Sequence, residues 1–180
     1  GYLDINSFMQ CDVLNALLCL HELNDQSGVI SASAAETFRL VLHSSTSTGD
    51  IESFIFQVSS PNTQNILHRA VVQAKENNDT YTIYNVAVVF YELTNYNSQI
   101  RLECATSVVA DIMNIILDDA SSNEISSCIM FQFFTDNKSR SVFSSQELSL
   151  KLTQNILKKS DTNQDTIYNI ISAFWSLSKL

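Results

Sequence analysis

Glycine and proline are nearly missing from this chain: three and one, respectively, among 180 residues. Tight hairpins draw on both residue types, so an all-β sandwich or barrel is disfavoured, and collagen-like or flexible-linker classes are excluded. The three glycines are not clustered, which removes the loop that cradles phosphates. Basic residues are also scarce, ten against nineteen acidic for a formal charge of −9. Duplex nucleic acid calls for a basic face, and none is expected here. No CxxC pair and no Cys/His cluster occurs, so a zinc site is not expected. No apolar run approaches the roughly 18 residues of a membrane span, and the N-terminus does not read as a signal peptide. His21-Glu22 lacks the second histidine of a metalloprotease helix. Asp161-Thr-Asn163-Gln-Asp165 begins like a calcium loop, but Thr166 stands where glycine is required and Ser172 where the closing glutamate belongs. These absences point away from an enzyme and from any cofactor.

What is present is apolar: 45% of the residues are hydrophobic and 16% charged, enough to pack a core. The charge is uneven. Residues 1–100 hold three basic residues (Arg39, Arg69, Lys75) and ten acidic ones; residues 101–180 hold seven and nine. An acidic N-terminal half suits a partner with basic residues. Cys11, Cys19, Cys104 and Cys128 each sit in an apolar stretch, where cysteine behaves as a small hydrophobe. A chain this apolar does not need disulfides, so a reduced protein of the cytoplasm or nucleus is expected. Asn78-Asp79-Thr80 and Asn137-Lys138-Ser139 match the glycosylation sequon, a pattern common by chance. Gly1 is not a start methionine and Leu180 falls inside an apolar periodic segment, so the chain is expected to be part of a longer protein.

Periodicity predicts helices. Leu102, Ala105, Val109, Ile112 and Ile116 recur at three- and four-residue steps across 98–118, as do Leu148, Leu152 and Ile156 across 145–158. Residues 9–23 and 64–75 are also apolar at helical spacing. Ser33-Ala-Ala-Glu36, Ser121-Ser-Asn-Glu124 and Ser144-Ser-Gln-Glu147 have the form of capping boxes, in which serine and glutamate satisfy each other's orphan N–H groups. Polar joints fall at Asn24–Gly28, Ser44–Asp50, Ser59–Asn62, Glu76–Thr80, Asp118–Asn123, Thr135–Arg140 and Ser160–Gln164. Tyr81–Tyr91 is rich in β-branched and aromatic residues, but a lone strand has nothing to pair with, so it too is read as helix.

Three segments resemble one another: Asp12–Leu23, Thr82–Leu93 and Thr166–Leu177. The last two stand 84 residues apart without a gap, and half that step lands on Glu124–Thr135. The alignment pairs Ile83/Ile125/Ile167, Val86/Cys128/Ile170, Tyr91/Phe133/Trp175 and Asn95/Asn137/Lys179. With Ala173-Phe-Trp-Ser-Leu-Ser-Lys-Leu180, Phe90-Tyr-Glu-Leu-Thr-Asn95 and, more loosely, Gln132-Phe-Phe-Thr-Asp-Asn137, the chain resembles the armadillo repeat over about residues 50–180. A HEAT-like two-helix repeat accounts for much of the same pattern.

The resemblance implies an all-α fold: a short right-handed armadillo-like α-solenoid of three-helix repeats with irregular N-terminal helices. It is one domain, with a cap over 1–50 and units at 51–97, 98–139 and 140–180. It further implies a non-enzymatic module that binds a peptide or helix of a partner protein on a concave face. By the resemblance that face presents Tyr91, Asn95, Phe133, Asn137, Trp175 and Lys179; asparagine offers a donor and an acceptor to a peptide backbone, whereas the lysine cannot accept. Two other readings stand beside this. Phe133 and Trp175 are equally placed to be core, and Asn95 and Asn137 to end their helices. The whole fragment can instead be structural, self-associating through its exposed ends without a peptide groove.

Overall fold

The structure, a computed structural model, describes residues 29–44 and 51–143 together with Leu148, Leu150, Lys151, Gln154, Gln164, Tyr168, Ile171, Ser172 and Trp175. No strand occurs among the described residues. The all-α class expected from the helical periodicity and the resemblance is what is observed. The order is α1 (Val29–Ser44), α2 (Ile51–Val58), α3 (Pro61–Asn77), α4 (Thr80–Tyr96), α5 (Ser98–Glu103), α6 (Ser107–Asp118), a 3₁₀ turn (Ala120–Ser122), α7 (Asn123–Thr135) and α8 (Asn137–Phe143). Tyr81–Tyr91 is the middle of α4, so tertiary packing overrides its β-type composition. The nine separate positions that follow α8 are helical. Residues 12–23, Cys11, Cys19, His21, the Ser144–Glu147 box, Asp161, Asn163, Asp165 and Lys179 lie outside the described residues.

Short polar side chains set the boundaries. Ser60 accepts from Thr63 N–H with Pro61 at the first helical position; Asp79 does the same for Thr82, Asn97 for Ile100 and Thr106 for Val109. Asn78 closes α3 in the left-handed region, at φ 55°, where asparagine is tolerated better than most residues. Two of the expected capping boxes do not form. Ser33 lies in the second turn of α1, with no helix start to cap, and Glu36 instead accepts from the Tyr81 hydroxyl at 2.8 Å. Ser121 donates to Asp119, and α7 begins without a side-chain cap bond. The periodic run over 98–118 is not one helix either. It breaks at Cys104–Thr106, because Thr106 turns extended (φ −123°, ψ 161°) to cap α6. The apolar spacing carries through the break because α5 and α6 both bury that side.

The packing has a regular logic. α1 lies against α3 and α4; α3 against α6; α4 against α7; α5 against α4 and α8; α7 against α8. The helices thus form two ranks, α1–α4–α7 and α3–α6, with the short helices α2, α5 and α8 at the joints. The buried apolar side chains form one contiguous cluster. Each fully buried Leu, Ile or Phe in it contributes about 2 kcal/mol. Phe38 meets Phe54 edge-on, ring centres 6.2 Å apart, tying α1 to α2; Phe133 stacks on Phe143 at 4.0 Å, tying α7 to α8.

Burial repeats along the chain at a shifted step. Thr63, Ile66, Leu67, Ala70 and Val71 of α3 are matched 46 residues later by Val109, Ile112, Met113, Ile116 and Leu117 of α6, all buried. The caps Ser60 and Thr106 keep the same step. In α4 and α7 the step is 44: Thr82, Ile83, Asn85, Val86, Val89 and Phe90 correspond to Ser126, Ser127, Ile129, Met130, Phe133 and Phe134. A third correspondence joins α5 to α8. Asn97 and Asp136 cap their helices, and four residues on Arg101 donates to Thr94 O (2.8 Å) and Arg140 to Phe134 O (3.1 Å). Each guanidinium thereby satisfies a carbonyl orphaned in the last turn of the preceding helix, at the negative end of its dipole.

Asn85 is the buried side chain with both of its polar atoms left over among the described residues. It is 1% exposed, and neither of its amide atoms has a partner among the described residues. Such a group costs about 1–3 kcal/mol. Asn85→Leu is therefore expected to raise the urea midpoint, with a gain of about 1–2 kcal/mol. A lower midpoint would show that the amide is satisfied in solution.

Candidate interaction surface

Among the described residues the rank α1–α4–α7 leaves one long helical face exposed, and α4 is its centre. Along α4, Thr80, Tyr84, Tyr91 and Asn95 are exposed and Val88 is half-buried, at steps of three and four residues. These positions fall on one side of the helix because 3.6 residues complete a turn. Thr82, Ile83, Val86 and Phe90 hold the opposite side in the core. The α1 edge of this face is fixed by two polar contacts. Tyr81 OH donates to Glu36 Oε1, and His43 Nδ1 lies 3.6 Å from Glu92 Oε1. On α7 the same face carries half-buried Cys128 and Gln132 and exposed Thr135.

The six residues expected at a groove divide. Tyr91 and Asn95 share the exposed side of α4. Trp175 is exposed on a helical position and Lys179 lies outside the described residues. Asn137 is exposed but begins α8 rather than ending the helix before it. Phe133 is fully buried against Phe143 and offers no surface to a partner. The reason is the register. The 42-residue step sets Phe133 beside Tyr91, whereas burial recurs at 44, so Phe133 takes the core position of Val89 and Thr135 that of Tyr91. A two-residue slip turns a position about 200° around a helix, from surface to core. Tyr84 is the residue that sequence reasoning missed. Its signal was available: Tyr84 and Tyr91 stand seven residues apart, as do Tyr168 and Trp175.

The chemistry of this face is recognition chemistry. Tyrosine presents an apolar ring with a polar tip and loses little rotamer freedom when covered. Elsewhere, reactive groups are withdrawn. Burial, and secondarily the Glu103 carboxylate, pushes the Cys104 thiol up to about 12, so it is not a nucleophile at neutral pH. No group of three potential metal ligands occurs among the described residues. A cavity of about 180 Å³ between α3, α4 and α6 has Ile83 and Ile115 in its wall and Lys75 and Asp118 at its rim. That rim is closed on itself, since Asp118 Oδ2 lies 3.3 Å from Lys75 Nζ and 3.1 Å from Lys151 Nζ. No helix among the described residues is long and apolar enough to cross a membrane. In comparisons with protein families, curated proteins and solved structures, nothing matches this chain.

Proposed function

We propose that this chain is a non-enzymatic protein-interaction module, a short right-handed armadillo-like solenoid that takes a peptide or helix of a partner on the α1–α4–α7 face. The observation that carries the reading is the exposed stripe Tyr84–Val88–Tyr91–Asn95 at the centre of that rank. Large aromatics on a rigid helix are the usual anchors of interfaces, and a neighbouring asparagine can bond a peptide backbone in both directions. The solenoid part is supported by the short–long–long order of α2–α3–α4 and α5–α6–α7 and by the recurrence of burial at 46 and 44 residues. In such a stack each unit covers the apolar side of the one before it. The units then run 51–97 and 98–136, and the third opens with α8 at Asn137, three residues before the expected boundary at 140.

Selection of a displayed random-peptide library on the wild-type chain tests the reading. Selected peptides should lose about tenfold or more in affinity for the Tyr91→Ala/Asn95→Ala double variant, as loss of two anchor contacts predicts. Helical circular dichroism should be unchanged, because both residues are exposed. Equal binding by the double variant would put the contact elsewhere, and a library that yields no binder would remove the reading.

A further inference from the structure

We propose that the partner segment held on the α1–α4–α7 face is an amphipathic helix that lies along α4 and carries lysine or arginine beside its apolar stripe. The inference rests on the interaction reading above and names the kind of segment this surface takes. The exposed stripe follows the axis of a single helix. Tyr84, Val88, Tyr91 and Asn95 stand four, three and four residues apart, which is about 6, 4.5 and 6 Å of rise. A second helix has the same rise, so its own side chains at steps of three and four meet all four positions. An extended chain crossing from α4 to α7 meets one aromatic rung. The residues 44 positions after Tyr84, Val88 and Tyr91 are Cys128, Gln132 and Thr135, and Phe133 is buried. Backbone chemistry points the same way. An extended segment must find outside partners for its N–H and C=O groups. The stripe offers the amide of Asn95 and two ring hydroxyls, against about five residues of extended chain over the same length. A helix satisfies its own backbone and leaves orphan groups only at its ends, one of which the Asn95 amide can meet.

Charge complementarity sets the second property of the partner. α4 and α7 carry no lysine or arginine, and α1 carries Arg39 alone, half-buried. Carboxylates border the stripe on both sides. On the α1 side Glu36 accepts from the Tyr81 hydroxyl at 2.8 Å, and Glu92 is half-buried with His43 Nδ1 at 3.6 Å. On α7 Glu124 is exposed, four residues before Cys128 and on the same face. Tyr81, 54% exposed, adds a third ring beside Tyr84 and Tyr91. A guanidinium or ammonium is the group that suits carboxylates next to tyrosine faces, since both the ring quadrupole and the negative charge attract it. An acidic helix would meet like charge here, and the formal −9 of the chain would slow its approach.

Two displayed peptide libraries, selected on the full chain, test the proposal. In one, a side-chain bridge between positions four apart holds the peptide helical and its open face is randomised; in the other, proline at every third position holds the peptide extended. The helical library should yield binders with lysine or arginine beside apolar residues at steps of three and four. These should lose about tenfold or more on the Tyr91→Ala/Asn95→Ala variant. Added salt should weaken them on the wild type. Glu92→Lys should weaken them about tenfold with unchanged helical circular dichroism, and glutamate in place of the peptide's basic residues should recover binding to that variant. Stripe-dependent binders from the extended library, with equal or higher affinity, would overturn the helix. Stripe-dependent binders that are acidic, that ignore salt, or that hold Glu92→Lys as tightly as wild type would overturn the charge. In those cases the interaction reading stands. That reading fails, and this inference with it, when neither library yields a binder that responds to the double variant.

Discussion

Phe133→Ala is expected to destabilise the fold by about 3–5 kcal/mol, the range for removing a fully buried phenylalanine. That is a large share of the roughly 5–15 kcal/mol that holds a typical domain together. Phe133 is wholly inaccessible and stacked on Phe143 at 4.0 Å, so truncation opens a cavity between α7 and α8 and strips one ring of its mate. The loss reaches further than one contact, since α8 begins just after α7 and is held to it also by Arg140 on Phe134 O. Urea unfolding followed by circular dichroism measures the effect. Tyr91→Ala is the control: its side chain is exposed on α4, and the expected cost is below about 1 kcal/mol. The pair separates core from contact surface. A Phe133→Ala protein that unfolds at the wild-type midpoint would return Phe133 to the surface and restore the 42-residue register.

That register is where the sequence stops being readable. Helix-forming stretches were legible because apolar side chains recur at three- and four-residue steps in α3, α4 and α6, and two of the joints because Ser60-Pro61 and Asp79 are local signals that need no partner. The register of α7 on α4 depends on which residues the neighbouring helices cover. Ile83 answers to Ser127 and Asn85 to Ile129, so positions equally buried in the two helices differ in polarity, and likeness of residue type hides the correspondence. Matching aromatic to aromatic found a step of 42 instead. Across 84 residues the residue types and the described exposures do agree, at Tyr84/Tyr168 and Tyr91/Trp175. The capping boxes at Ser33 and Ser121 failed for a similar reason. Serine and glutamate three apart is a frequent arrangement, and at Ser33 the helix had already begun. The exposed stripe of α4 was half legible: Tyr91 and Asn95 were found through the resemblance, while Tyr84 needed the burial of its neighbours to separate it from the core.

Gln64→Ala is expected to cost about 3 kcal/mol, although the residue is polar and lies far from the exposed stripe, because it strands several buried groups at once. Gln64 is 1% exposed. Its Nε2 donates to Ser59 O at 2.7 Å and to Glu103 O at 3.0 Å, and its Oε1 accepts from Thr106 Oγ1 at 2.7 Å. One amide thus ties the α2–α3 joint to the end of α5 and to the cap of α6. Thr106 Oγ1 also accepts from Val109 N–H at 3.2 Å, so the hydroxyl that starts α6 is aimed by the glutamine. Removing the amide leaves two carbonyls without a donor in a place water does not reach freely, and each such loss costs about 1–3 kcal/mol. Glutamate at this position would keep the shape and still fail, since a carboxylate cannot donate to either carbonyl. A double-mutant cycle of Gln64→Ala with Thr106→Val should return a coupling of about 1 kcal/mol or more, as directly bonded neighbours do, while a distant pair would add within about 0.5 kcal/mol. Amide exchange should quicken first at Cys104–Thr106, the joint between α5 and α6, if this residue latches one three-helix segment to the next. Additive energies and unchanged exchange at that joint would mean that packing between α3 and α6 holds the segments in line without it.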